Sequence, residues 1–152
     1  VDIGIVGRNE QRLYRAALAI MKGRADAEDI VQDVFVKYME KQPQFESYTH
    51  EAAWLMRVTI NCCRSRLRSS WWKMRVPLLD IYPARDEGQR DVVSAVLSLP
   101  VKYRMVIHLF YYEGYTTREI SEITVQKEST VRQQLTRARR MLGEELGGEL
   151  AQ

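Results

Sequence analysis

Near the C-terminal end of the chain, Ser129, Thr130, Arg132, Gln133, Thr136, Arg137 and Arg140 gather the side chains that can read base edges in a DNA major groove. Arginine grips guanine O6 and N7 with paired hydrogen bonds, glutamine does the same to adenine, and threonine meets the thymine methyl. On a helical wheel Val131, Leu135, Ala138 and Leu142 share an inner arc, while Arg132, Gln133, Thr136, Arg137 and Arg140 lie opposite. Arg139, to one side, suits a phosphate. A solvated basic face is the bland alternative, and what tips the balance is the capped short helix that precedes this one in sequence.

A second set recurs further upstream. Arg57, Asn61, Arg64, Arg68 and Trp72 follow one another at helical spacing and form one polar stripe, with Trp54 along its edge. Aromatic rings among guanidinium groups suit unpaired bases, because every base offers a face for stacking and every nucleotide a phosphate. Packing of Trp54, Trp71 and Trp72 in the core is an equal alternative. The preceding loop, with Gln42, Gln44, Phe45, Ser47, Tyr48 and Thr49, offers amides, hydroxyls and rings that could hold an extruded base.

A third set is acidic. Asp29, Gln32, Asp33, Val36 and Glu40 point away from the apolar face of their helix, so an anionic strip surrounds an exposed valine. Such a strip repels DNA; it fits either a protein partner with a basic face or plain solvation. Charge is segregated along the chain. Residues 26–51 hold seven acids against two lysines, residues 57–75 six cations and no acid, and residues 127–142 five cations against one acid, while the whole chain carries only +3. Basic stripes of this kind are what a polyanion-binding protein needs.

Other chemistry is poorly supported. Cys62 and Cys63 are adjacent, which makes a strained disulfide and a poor chelate, and they read as core hydrophobes. His50 and His108 are isolated, so no metal, no cofactor and no enzymatic activity are expected. The chain has 152 residues, 45% hydrophobic and 28% charged, ordinary for a folded protein. It contains no long apolar run and no secretion-type leader, which points to a cytoplasmic protein without membrane insertion.

The elements that must position these residues are all helical. A first helix is expected over Glu10–Lys22, ended by Gly23, and a second is capped by Asp26 and buries Ile30, Val31, Val34, Phe35 and Tyr38. A third runs from about Glu51 to Trp72 with Ala52, Met56, Ile60, Cys63 and Leu67 inward. Prolines, charges and a glycine without periodicity then mark a linker. Beyond it come a short helix near Asp91–Ser98, another from Pro100 to about Tyr112 closed by Gly114, a third opened by a Thr116–Glu119 capping box, and the last from Ser129 or Thr130. The expectation is an all-α protein of two small helical domains, residues 1–76 and 91–152, joined by a flexible linker, residues 77–90.

AEDIVQDVF, ending at Phe35, AAWLMRVTINCCRSRLRS (Ala52–Ser69) and LSLPVKYRMVIHLFYYEGYTTREISEI with STVRQQLTRARRML (Leu97–Leu142) resemble, in order, the conserved stretches of bacterial RNA polymerase sigma factors of the small extracytoplasmic-function (ECF) subgroup. The resemblance implies a region 2 bundle that binds core polymerase and recognises and melts the −10 element, and a region 4 helix-turn-helix that reads the −35 element. It assigns Asp29, Gln32, Asp33 and Val36 to the β′ clamp helices, with the β subunit as a further partner. It also matches Asn61 and Arg68 to the −10 helix, the loop Gln42–Glu51 to the pocket for a flipped base, and Thr130, Arg132, Gln133, Arg137 and Arg140 to the recognition helix. An anti-sigma inhibitor is a partner by resemblance only.

This sequence departs from the family pattern at three places. Ser65 stands where aspartate is frequent, the lead-in VDIGIVG is short, and the turn ITVQKEST has no glycine. Because Val125 disfavours a left-handed backbone, a shorter or differently bent turn is expected there. The rivals are a stand-alone helix-turn-helix regulator that binds duplex DNA without polymerase, which leaves the acidic strip and the Arg/Asn/Trp stripe without a role, and a small nucleic-acid hydrolase.

Overall fold

The computed structural model describes residues 2–69 and 87–146, with the backbone alone for 87–90. All regular structure among them is helical. The chain divides into two compact units, Val1–Arg75 and Val76–Gln152. Trp71, Trp72 and most of the expected linker lie outside the described residues.

In the first unit α1 (Gly4–Met21), α2 (Arg24–Lys41) and α3 (Tyr48–Ser69) pack against one another. Helix α1 starts six residues before the expected Glu10, because Ile5 and Asn9 already belong to its buried face and the Asp2 carboxylate accepts from the Gly4 N–H at 2.9 Å. Lys22, not Gly23, takes the left-handed position at its end, with φ 67°. Gly23 is extended and caps α2 instead of Asp26: its carbonyl already accepts from the Ala27 N–H at 2.9 Å, so Asp26 falls inside the first turn, where its charge still favours the helix dipole. The inward set Ile30, Val34, Phe35 and Tyr38 is buried as expected, and Val31 is half-buried.

Helix α3 begins at Tyr48 because Ser47 caps it, its Oγ accepting from the His50 N–H at 3.0 Å while His50 Nδ1 accepts from the Glu46 N–H at 3.1 Å. Met56, Ile60 and Cys63 are buried together with Leu55 and Thr59, while Ala52 and Leu67 are only half-buried. A charged residue, Glu51, is also buried. Arg8 grips it through Nη2 at 2.8 Å and Nε at 3.1 Å, and Asn9 Nδ2 donates to it at 2.9 Å. Arg8 also pairs with Asp2 at 2.6 Å and lies over the Tyr48 ring at 4.6 Å. The start of α1 is thus tied to the start of α3. The Arg8 bond, opposed by burial and aided by Asn9, holds the Glu51 carboxyl below the ordinary carboxylate range.

The second unit contains α4 (Glu87–Ser98), α5 (Val101–Ile107), a π-helical turn His108–Tyr112, α6 (Thr117–Thr124) and α7 (Glu128–Glu145). Helix α4 begins four residues before Asp91, inside the segment expected to be linker. The helix expected to run unbroken to Tyr112 widens at His108. There the Glu113 N–H donates to the His108 carbonyl at 3.0 Å, and the buried His108 Nε2 meets Glu113 Oε2 at 3.0 Å. Gly114, at φ 79°, then reverses the chain. The core is built from Leu97, Met105, Leu109, Ile120, Val131 and Leu135.

Both halves of the Thr116–Glu119 capping box are present. The turn after α6 overturns the expectation for Val125, which does adopt the left-handed backbone, at φ 54° and ψ 54°. Its side chain is 62% exposed and so meets no packing conflict. The turn is clamped around it: the Gln126 and Gln134 amides bond reciprocally at 2.8 and 3.2 Å, and the Thr117 hydroxyl donates to Glu128 at 2.7 Å. That bond also explains why α7 starts at Glu128, capped by Lys127, before the expected Ser129 or Thr130.

Two stability measurements follow from these contacts. Glu51→Gln removes the charge from three hydrogen bonds and is expected to destabilise the first unit by about 1–3 kcal/mol at neutral pH. All three tryptophans lie in that unit, so urea unfolding followed by their fluorescence reports it. Since the folded carboxyl is more acidic than the unfolded one, its stabilisation is complete above the ordinary carboxylate range and disappears as pH falls through the lowered folded value. The two proteins should therefore converge in acid, and an undiminished gap there contradicts the assignment. Val125→Gly relieves a left-handed β-branched residue and is expected to stabilise the second unit by about 1 kcal/mol, read as slower amide exchange in α6 and α7.

Candidate nucleic-acid interface

Burial of Val131, Leu135, Ala138 and Leu142 sets the rotation of α7 and turns Arg132, Gln133, Thr136, Arg137 and Arg140 to solvent, as the wheel predicted. Ser129 is exposed and Thr130 half-buried in the first turn. Arg137 and Arg140 have no ion-pair or hydrogen-bond partner among the described residues, whereas Arg132 pairs with Glu128 at 3.1 Å. The Thr136 hydroxyl donates back to the Arg132 carbonyl at 2.9 Å, leaving its methyl and oxygen lone pairs available. Arg139 differs from its expected phosphate role. Its Nε donates to the Tyr111 hydroxyl at 2.6 Å and its guanidinium lies 5.6 Å from both the Phe110 and Tyr111 rings, so it braces α7 against the π-helical turn.

On α3 the stripe is formed by Arg57, Asn61 and Arg68, all exposed, with Arg64 half-buried; Trp72 lies outside the described residues. Burial first, and the neighbouring Arg68 charge second, push the Arg64 guanidinium down from its ordinary value. Trp54 is not a free stacking platform. It packs edge-on against Tyr38 at 6.5 Å and tilted on Phe45 at 5.8 Å, which decides for packing between two equal readings.

Tyr38 and Phe45 of that cluster form one side of a cavity of about 710 Å3 at the entrance to α3, lined also by Gln44, Ser47, Tyr48 and Glu51 among others. Phe45 stacks on Tyr38 at 6.2 Å with an interplanar angle of 13° and contacts the His50 ring edge-on at 5.4 Å, so it is held as a wall and is only half-exposed. Tyr48, 71% exposed, stands at the rim with Arg8 across its face. Gln44 is exposed and Ser47 is engaged in capping α3. Thr49 and His50, expected in the loop, lie on the helix and do not line the cavity. Asp2, Arg8 and Asn9 were missed in the sequence because nothing local to α1 shows that Glu51 arrives beside them.

On α2, Asp29, Gln32, Asp33 and Val36 are all exposed. Val36 and Met39, at 48% and 50%, form a small apolar spot one turn apart; Met39 was missed because a lone methionine among polar residues carries no distinctive pattern. Arg66 reaches across from α3 to Asp33 at 3.3 Å, Asp29 at 3.5 Å and Asp26 at 3.8 Å. The acidic strip is therefore partly neutralised from within. The two cysteines lie beside it: Cys63 is buried and Cys62 half-buried, and loss of hydration raises both thiols, as expected for unreactive packing residues.

Comparison with known proteins adds the lineage. The family model described as Sigma-70 region 2 matches residues 5–73, and that described as Sigma-70, region 4 matches residues 89–142. The chain is 29% identical over 145 residues to the ECF RNA polymerase sigma factor SigM of Mycobacterium tuberculosis, covering 92% of this chain and 74% of the relative. It is 26% identical over 140 residues to the RNA polymerase sigma factor SigV of Bacillus subtilis, covering 88% and 84%. Among solved structures, the sigma factor RpoE in complex with the anti-sigma factor NepR from Bartonella quintana gives a TM-score of 0.77 at 24% identity, over 95% of both chains. CnrH in complex with the cytosolic domain of CnrY gives 0.71 at 26% identity, over 95% of this chain and 86% of that one. With both characteristic regions matched in order and each laid out as the residues required, the chain belongs to the sigma-70 family of RNA polymerase sigma factors, in its ECF subgroup.

Proposed function

We propose that this chain is a promoter-specificity subunit that binds core RNA polymerase and directs initiation by recognising −10 and −35 elements, its residues working as follows. Asp29, Gln32, Asp33 and Val36, with Met39, dock on the β′ clamp helices, and the β subunit holds the chain further. Arg57, Asn61, Arg64 and Arg68 follow the −10 strand, and Gln44, Phe45, Ser47 and Tyr48 receive an extruded base in the cavity before α3. Trp72, outside the described residues, is assigned to the same strand by its place in the sequence. Ser129, Thr130, Arg132, Gln133, Thr136, Arg137 and Arg140 enter the major groove at the −35 element.

Binding energy from the cavity and stripe offsets the unstacking of a flipped base, which is about a few kcal/mol per base. Phosphate contacts set the register and the exposed Gln and Arg side chains carry base preference. No bond is made or broken in this mechanism. Work on promoters places the chain in the cytoplasm; among the described residues no helix is long and apolar enough to cross a membrane. RpoE was solved in complex with the anti-sigma factor NepR, and an inhibitor of that kind is proposed to hold this chain.

The observation that carries the reading is the presence, within one small unit, of an anionic face with an apolar spot on α2 and an aromatic-walled cavity at the start of α3. A helix-turn-helix regulator acting without polymerase uses neither. Purified core polymerase should gain promoter-dependent initiation when the chain is added. Asp29→Lys combined with Asp33→Lys is expected to weaken core association by about a hundredfold or more, as like charges meet; association at wild-type strength refutes the docking assignment. Arg137→Ala should reduce holoenzyme affinity for its upstream element by about 1–3 kcal/mol and relax base preference at one position, measured by competition between point-variant duplexes.

A further inference from the structure

We propose that the groove between α2 and α3 holds the sugar–phosphate backbone of promoter DNA, with Lys37 and Lys41 of the polymerase-docking helix acting as phosphate contacts beside Asn61 and Arg68. This rests on the promoter-recognition reading and extends it to a helix otherwise assigned to protein contacts alone. The groove has a volume of about 590 Å3, and its walls carry Lys37, Lys41 and Asp33 from α2 and Asn61, Arg66 and Arg68 from α3. It is therefore continuous with the stripe on α3.

Its electrostatics favour an anion. Arg66 is committed to Asp33 at 3.3 Å, Asp29 at 3.5 Å and Asp26 at 3.8 Å, which leaves Lys37, Lys41 and Arg68 as the cations facing the groove. Lys37 and Lys41 are exposed, share a face one turn apart, and have no ion-pair partner among the described residues. The α2 dipole accounts for a cation in its last turn, at Lys41. It does not account for both lysines facing the one wall of α3 from which Asn61 and Arg68 project. The Ser65 hydroxyl on that wall adds a neutral donor. Helix α2 thus has two faces with different partners: acids and an apolar spot for protein, and a lysine pair for nucleic acid.

The test uses holoenzyme assembled from core polymerase and the full chain, on DNA that the wild-type holoenzyme selects from a randomised promoter library. Each phosphate contact contributes about 0.7–0.9 to the slope of log affinity against log salt. Lys37→Gln with Lys41→Gln should lower that slope by about 1.4–1.8, leave core association unchanged, and preserve the selected sequence. The double arginine variant should restore the slope. An unchanged slope overturns the proposal, as does a loss confined to core association, which would assign the lysines to the polymerase. Failure of the wild-type holoenzyme to select any DNA refutes promoter recognition itself, and the groove assignment with it.

Discussion

Each helix in this protein has a single apolar face to bury, and that burial sets its rotation; every surface with a functional role is what remains on the other side. On α7 the inward Val131, Leu135, Ala138 and Leu142 leave Arg137 and Arg140 no position but solvent. On α3 the inward Leu55, Met56, Ile60 and Cys63 do the same for Arg57, Asn61 and Arg68. In the first unit the buried carboxylate of Glu51 adds a second constraint. A charge taken out of water needs fixed partners, and its bonds to Arg8 and Asn9 hold the entrance of α3 where the aromatic cavity forms.

Charge that is segregated along the chain is only partly segregated in space. Arg66 belongs by sequence to the basic stretch 57–75, yet its guanidinium lies among Asp26, Asp29 and Asp33. Asp29 and Asp33 are exposed and Arg66 and Asp26 half-buried, so water screens these pairs and they contribute little to stability. Their consequence is local: they lower the negative potential on the side of α2 next to α3. A protein partner and a polyanion can then occupy adjacent faces of one helix pair.

The helix-turn-helix shows a different economy. Left-handed geometry at a β-branched residue is unfavourable by about 1–2 kcal/mol, and Val125 adopts it because side-chain bonds on both sides define the turn. The reciprocal Gln126–Gln134 pair and the Thr117–Glu128 bond join α6 and the turn directly to α7. Orientation of α7 is consequently held by neutral amides and one carboxylate, and not by a glycine.

Amphipathic period, capping residues and the order of three motif stretches made the all-helical architecture, the inward sets of α2 and α7, the Thr116 capping box and the exposed faces legible in the chain. These are local properties, written within one helix or one turn. Element ends were less legible where backbone groups had competing partners, as when Gly23 displaced Asp26 as a cap and Ser47 moved the start of α3. What only the tertiary structure decided were the meetings between distant side chains: Arg8 with Glu51, Arg66 with three aspartates, Arg139 with Tyr111, and Trp54 with Phe45 and Tyr38. Periodicity says which way a side chain points but not what stands opposite it, because that depends on how helices far apart in sequence are set against one another.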